Sequence, residues 1–271
     1  NANASPLQFI PKEPCFLTDH YFNMQENKEN TWITNRRRDI VDGVWAKCPE
    51  CSELIYNREL DRNLRICRRC NYYFPMDPSS RISLIANDEG FSNYNDVASP
   101  DPENFNRIIM SGEAKISDHG IVIMAVNYNV LCNADSFLIT EKMVSAINNA
   151  IERKLPLLAI YTIGNEKYGI GSPMQLLNVT AGISKLNKEK LAYISLLSQT
   201  GSDNHFPAFA YSADIVVAES NLFGTSHTGS RIGRRDTERA VQALFQSGII
   251  DMIVPREDLK IKLTDILSFF R

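Results

Sequence analysis

At 271 residues the chain has room for one large domain or two smaller ones, and 44% hydrophobic with 23% charged residues is ordinary globular composition. A net charge of −3 gives no whole-chain attraction to nucleic acid or to an anionic membrane, so neither is an expected partner. No apolar run reaches the roughly 18 residues of a membrane span, and no basic stretch followed by an apolar core opens the chain, so a cytosolic protein is expected.

Residues 1–41 are polar, with Pro6, Pro11 and Pro14, and read as an extended arm ending in the basic run Arg36-Arg37-Arg38, a solvated face. Cys48-Pro49-Glu50-Cys51 is followed, after a spacer of fifteen residues, by Cys67-Arg68-Arg69-Cys70. Paired Cys-x2-Cys units at this spacing are the pattern of a four-thiolate zinc site, closed to water and therefore structural. The alternative is two disulfides or idle thiols. Six cysteines, four of them in these pairs, suit a reducing compartment. Residues 42–76 thus read as a four-cysteine zinc ribbon, with short strands in 54–60 and 63–66.

The domain 77–271 follows. A short helix is expected over 81–87, then a loop holding Pro100 and Pro102. Partly alternating apolar residues predict a hairpin, 108–116 and 121–128, around Ser117-Asp118-His119-Gly120. From Thr140 the period becomes helical, with Met143, Val144, Ile147, Ala150 and Ile151 on one face. Strands at 157–163, 191–197, 215–218, 222–224 and 249–254 alternate with helices at 172–188, 204–212 and 236–246. A closing helix from about Arg256 buries Leu259, Leu263, Ile266, Leu267 and Phe270. Such alternation predicts an α/β domain with ligand sites where strand ends meet helix starts.

The residues around the cysteines carry a resemblance. Gly43-Val44-Trp45-Ala46-Lys47-Cys48, Tyr56, Glu59-Leu60, Arg62-Asn63-Leu64 and Cys67-x2-Cys70 resemble the carboxyltransferase β subunit of bacterial and plastid acetyl-CoA carboxylase. Further along, Leu191-Ala192-Tyr193-Ile194-Ser195, Ala213-Asp214-Ile215, Ala218-Glu219 and Gly248-Ile249-Ile250-Asp251-Met252-Ile253-Val254 are similar to that subunit in order and type. The resemblance implies a crotonase-like ββα-spiral domain preceded by the zinc ribbon. It implies carboxyl transfer from carboxybiotin, borne on a biotin carrier protein, to acetyl-CoA, giving malonyl-CoA. It also implies a carboxyltransferase α-subunit-like partner, an oligomer, and a cytoplasmic or plastid-stromal location.

Three glycine loops of the family can be laid on this chain, each altered. The first, typically Gly-Gly-Ser-Met-Gly, corresponds to Cys132-Asn133-Ala134-Asp135-Ser136. The second, typically Ser-Gly-Gly-Ala-Arg-Met, corresponds to Ile163-Gly164-Asn165-Glu166-Lys167-Tyr168, and the third to Gly201-Ser202-Asp203-Asn204-His205. Lost glycines narrow the backbone angles and bring side chains to where a thioester would lie. Gly164 and Asn165, between a strand and a predicted helix, are candidate oxyanion donors; an ordinary turn is the alternative. His205 is a candidate acid or base. Lys167, Tyr168, Gly201 and Ser202 are candidate substrate-binding residues, Lys167 for a carboxylate or a CoA phosphate. The altered loops leave two other readings open: a crotonase-like enzyme of decarboxylation or other enolate chemistry on a CoA- or acyl-carrier-protein-bound group, and a catalytically silent scaffold.

Overall fold

The computed structural model describes residues 44–87, 90–127, 136–162, 173–198, 208–221 and 234–270. All of them belong to one compact unit, residues 37–271.

The ribbon pairs β1 (Trp45–Lys47) antiparallel with β2 (Leu54–Tyr56). The expected strand over 54–60 stops at Tyr56, and α1 (Asn57–Arg62) takes its place. Leu60 turns inward from this helix and is buried against Cys48, Cys67 and Phe74. Residues 63–66 form a turn rather than a strand, joined to the next segment by the bridge Ile66↔Tyr73. A short apolar run with one further leucine four residues on fits either period, and here the helix wins.

Beyond the ribbon, α2 (Pro78–Ile85) starts three residues before the expected helix. Asp77 caps it by accepting the Ser80 N–H at 2.8 Å, and Pro78 sits at the first helical position, where its missing N–H costs nothing. The same device makes α3 (Pro102–Ile108) out of the stretch expected to be a loop, with Asp101 as cap and Pro102 behind it.

The main sheet has seven strands in sequence order: β3 (Ser92–Asn93), β4 (Ile109–Ile116), β5 (His119–Asn127), β6 (Leu157–Thr162), β7 (Tyr193–Ser198), β8 (Ile215–Glu219) and β9 (Met252–Val254). The first three are antiparallel, β4 and β5 forming the expected hairpin about Ser117–Asp118. From β5 to β9 every pairing is parallel. Crossovers run through α4 (Ser136–Arg153), α5 (Pro173–Lys188), the 3₁₀ turn Ala208–Ser212 and α6 (Arg234–Gln246). After β9 come a 3₁₀ turn, Arg256–Asp258, and α7 (Leu259–Phe269). Each strand thus joins the edge its predecessor left open, winding the chain in one direction.

Period-two alternation divides the sheet between two cores. Val122, Met124, Leu157, Ala159, Tyr161, Tyr193 and Leu197 face α4 and α5. Ile121, Ile123, Leu158, Ile160, Ile194, Leu196 and Val217 face α2 and α7. Burial on both faces explains why β6 and β7 are largely apolar, β7 being interrupted only by Ser195 before it ends at Ser198. Gly112 lets β3 lie close, since a Cβ there would meet Ser92 O at 2.2 Å. Phe270, expected to be buried, is 44% exposed, lying one residue past the end of α7 at Phe269. The expected strand 222–224 lies outside the described residues.

Candidate metal centre and the edge it is tied to

The two cysteine pairs fold alike, residue for residue. In the first, Cys48 N–H donates to Glu53 O at 2.7 Å, and Ser52 N–H donates to Cys48 O at 2.9 Å. In the second, Cys67 N–H donates to Tyr72 O at 2.9 Å, and Asn71 N–H donates to Cys67 O at 2.8 Å. Ser52 and Asn71, each four residues after the first cysteine of its pair, have φ of 59° and 56°. That left-handed residue closes each knuckle and turns both sulfurs to one side. An exposed ion pair, Arg69 to Glu53 at 2.7 Å, crosses between the knuckles.

Cys48 Sγ lies 3.5 Å from Cys70 Sγ, Cys51 Sγ lies 3.6 Å from Cys67 Sγ, and all four sulfurs fall within 4.8 Å of one another. A disulfide needs about 2.05 Å, so these are not disulfides. Tetrahedral zinc with bonds of about 2.3 Å requires sulfur–sulfur edges of about 3.8 Å. The donor set therefore fits zinc, with no position left for water. Burial raises the Cys48 and Cys70 thiols, whereas the hydrogen bond from the Glu53 backbone lowers Cys51. A divalent cation reverses the cost of ionising the buried pair.

The other expected site residues fall in segments leaving the C-terminal ends of parallel strands. Gly164, Asn165, Lys167 and Tyr168 follow β6; Gly201, Ser202 and His205 follow β7; residues 132–135 follow β5. All lie outside the described residues. The strand ends before them are described: Asn127 is in register with Thr162, and Thr162 with Ser198. This is the edge at which open parallel sheets hold ligands.

At the same edge sits a cluster of charged side chains that sequence reading passed over. Glu219, the last residue of β8, is fully buried and accepts from Arg256 Nε at 3.1 Å and Nη2 at 3.0 Å. Arg81 of α2, also buried, pairs with Glu219 Oε1, and Ser198 Oγ donates to Oε2 at 3.0 Å. Burial alone would raise the Glu219 carboxyl, but Arg81 and Arg256 override it and hold it well below the usual carboxylate range. Burial lowers the Arg81 guanidinium to about 10, the attraction of Glu219 partly offsetting it. The signal for this cluster was an acid closing the apolar run Ile215–Ala218, and an arginine just after Met252–Pro255.

Comparison with known proteins agrees with the geometry. Residues 45–70 match the acetyl-CoA carboxylase zinc finger domain. The acetyl-CoA carboxylase carboxyltransferase β subunit of Desulforamulus reducens is 29% identical, covering 93% of this chain and 96% of its own length. That of Clostridium kluyveri is 28% identical, covering 86% and 88%. Two solved structures share the fold at low identity. The β subunit of Pseudomonas aeruginosa geranyl-CoA carboxylase (14% identity, TM-score 0.53) covers 72% of this chain, which spans 43% of that one. Transcarboxylase 12S (12% identity, TM-score 0.53) covers 77%, again with 43% of the longer chain spanned. The main domain thus has the crotonase-like fold of these carboxyltransferase structures, and over most of its length the chain is similar to the carboxyltransferase β subunit of acetyl-CoA carboxylase.

Proposed function

We propose that the chain acts as a carboxyltransferase β subunit, moving a carboxyl group from carboxybiotin to an acyl thioester, with acetyl-CoA to malonyl-CoA as the parent reaction. The observation that carries this reading is one chain holding both parts in order: a four-sulfur ribbon matching the carboxylase zinc finger, then the parallel sheet, alignable end to end with β subunits. In this reading residues 42–76 are the ribbon, 77–271 the transferase domain, and the resident metal is structural zinc.

The reaction breaks the N–C bond of carboxybiotin and forms a C–C bond at the α-carbon of the thioester, whose α-proton ends on the biotin nitrogen. The protein's task is to stabilise the enolate oxygen and exclude water. Backbone N–H groups after a parallel strand suit the first task, and Gly164 and Asn165, just beyond β6, are assigned to it. Lys167, Tyr168, Gly201 and Ser202 are assigned to thioester or carboxylate binding, and His205 to proton transfer. Partners in this reading are an α-subunit-like chain and a biotin carrier protein, in the cytosol or the plastid stroma. Support for a partner comes from Phe137, Met174 and Leu177, which stand 63–66% exposed at the N-terminal turns of α4 and α5. Among the described residues no helix is long and apolar enough to cross a membrane.

A second reading, decarboxylation on a CoA- or acyl-carrier-protein-bound group, is favoured by the missing glycines of 132–136. Co-purification with an α-subunit-like chain, followed by malonyl-CoA-dependent carboxylation of biocytin, separates the two. Complex formation and carboxylated biocytin are expected. Carbon dioxide release without biocytin carboxylation supports the second reading, and neither partner nor turnover overturns both.

A further inference from the structure

Arg256 reaches in two directions from the turn after β9. Toward the sheet it clasps Glu219 with Nε and Nη2. Toward the ribbon, Nη1 lies 3.1 Å from Leu64 O, 3.3 Å from Phe74 O and 3.5 Å from Arg65 O. Its guanidinium stacks 4.5 Å from the Tyr73 ring centroid, and its backbone N–H donates to Tyr73 Oη at 3.3 Å. The ribbon residues it holds are the two arms of the second knuckle. Phe74 N–H donates to Arg65 O at 2.8 Å, Ile66 bridges Tyr73, and Cys67 N–H donates to Tyr72 O. The clasp therefore acts on the segments that carry Cys67 and Cys70.

Two further features mark this as more than packing. Leu64 and Arg65 are consecutive non-glycine residues at φ of 54° and 57°, a left-handed conformation that is unfavourable for residues with a Cβ. Their carbonyls are aimed at Arg256, so the clasp offsets that cost only while the knuckle is closed. On the sheet side, Glu219 also accepts from Ser198, so one carboxylate ties the ends of β7 and β8 to the ribbon. If the knuckle opens, Arg256 keeps Glu219 but its Nη1 loses its carbonyl acceptors inside a buried site, and a buried donor left unsatisfied is costly.

We infer that Arg256 is a positioning residue that couples metal occupancy of the ribbon to the C-terminal ends of β7 and β8 through Glu219. The coupling is reciprocal by linkage: zinc steadies the strand ends as much as the strand ends favour zinc. It does not depend on carboxyl transfer, because its readouts are metal affinity and backbone protection.

The test uses the full chain. Zinc is removed with a chelator, and amide hydrogen exchange is compared with and without Zn²⁺. Faster exchange at 196–198 and 217–219, with 109–127 unchanged, is expected. Faster exchange confined to 44–77 overturns the proposal whether or not any variant folds. In parallel, Arg256→Lys keeps the charge but not the planar fork. Its Zn²⁺ affinity, by competition with a chromophoric chelator, is expected to fall about 5- to 150-fold, the usual span of coupling between sites. Co²⁺ thiolate absorption then reports whether four sulfurs still bind. Leu186→Ala, which loosens the opposite core at α5, away from the clasp and the coupled strand ends, should leave affinity unchanged; equal loss in both variants, or none in Arg256→Lys, overturns the proposal.

Discussion

Ser52 and Asn71 do for each knuckle what glycine commonly does elsewhere, because the chain must pass through a left-handed residue to bring both sulfurs to one ion. Asparagine tolerates that conformation better than a β-branched residue. Asn71→Val should therefore cost about 1–2 kcal/mol, read as an earlier urea transition for the ribbon, while Asn71→Gly should be near neutral. Cys48→Ser removes a buried donor outright. Metal analysis of the purified protein should fall from one zinc per chain towards none, since three sulfurs leave the site open. The ligands were readable in sequence, because a knuckle is a local object whose cysteines lie within four positions; the left-handed closing residues Ser52 and Asn71 emerge only from the backbone. Glu219, Arg81 and Arg256 were not so readable: Arg81 and Glu219 are 138 positions apart, and only the fold brings them together.

At the scale of elements, strand starts are stapled sideways by a repeated carboxylate. Asp214, just before β8, accepts the Tyr193 N–H at the start of β7 at 2.8 Å. Asp251, just before β9, accepts the Val216 N–H of β8, also at 2.8 Å. Each aspartate's own N–H donates back to the carbonyl of the same residue, Tyr193 or Val216. Asp214→Ala leaves a half-buried N–H without its acceptor and should cost about 1–3 kcal/mol, measured by urea unfolding. The strand–helix alternation was legible because both faces of the parallel strands are buried and their sequences are therefore largely apolar. Helices α1 and α3 were missed for opposite reasons. In α1 six residues are too few for a period to declare itself, and in α3 the Asp101-Pro102 pair reads equally as turn and as cap.

The Glu219 cluster makes the whole fold sensitive to acid. Its carboxyl is depressed to about 2 from an ordinary 4.5. A depressed carboxyl contributes stability that is complete above the unfolded value and lost as pH falls through the folded value. Unfolding free energy should thus drop by a few kcal/mol between about pH 4.5 and pH 2. Asp77 and Asp96, in which burial is outweighed by hydrogen bonds from Ser80 and Lys142 respectively, are lowered too and act in the same direction. The contribution of Glu219 is therefore read as the difference in slope between the native chain and Glu219→Gln, which should be flatter across that window. Equal slopes would show that the carboxylate is not held ionised by its two arginines.

The molecule also presents a face whose use the fold alone does not explain. Helices α4 and α5 lie side by side over the sheet, and Gly182 lets them approach, since a Cβ there would stand 3.2 Å from Ile147 Cδ1. Phe137 starts one helix, and Met174 and Leu177 start the other, on the side where β5 and β6 end. Large apolar groups gathered at one place mark contact surfaces more often than idle ones. They adjoin the segments assigned to thioester binding, so a chain docked there would help close the reaction off from water. Leu177→Asp should weaken association with the α-subunit-like chain by about tenfold or more, the effect of losing one well-packed apolar contact. Zinc content and the urea transition should be unchanged, because Leu177 is 63% exposed and touches neither the ribbon nor the sheet core. Phe269→Ser is the matched control: that ring is 83% exposed at the far end of α7, and its loss should leave association intact. Equal binding by both variants in sedimentation or titration calorimetry would move the interface elsewhere, whereas selective loss with Leu177→Asp ties the partner to the edge where the parallel strands end.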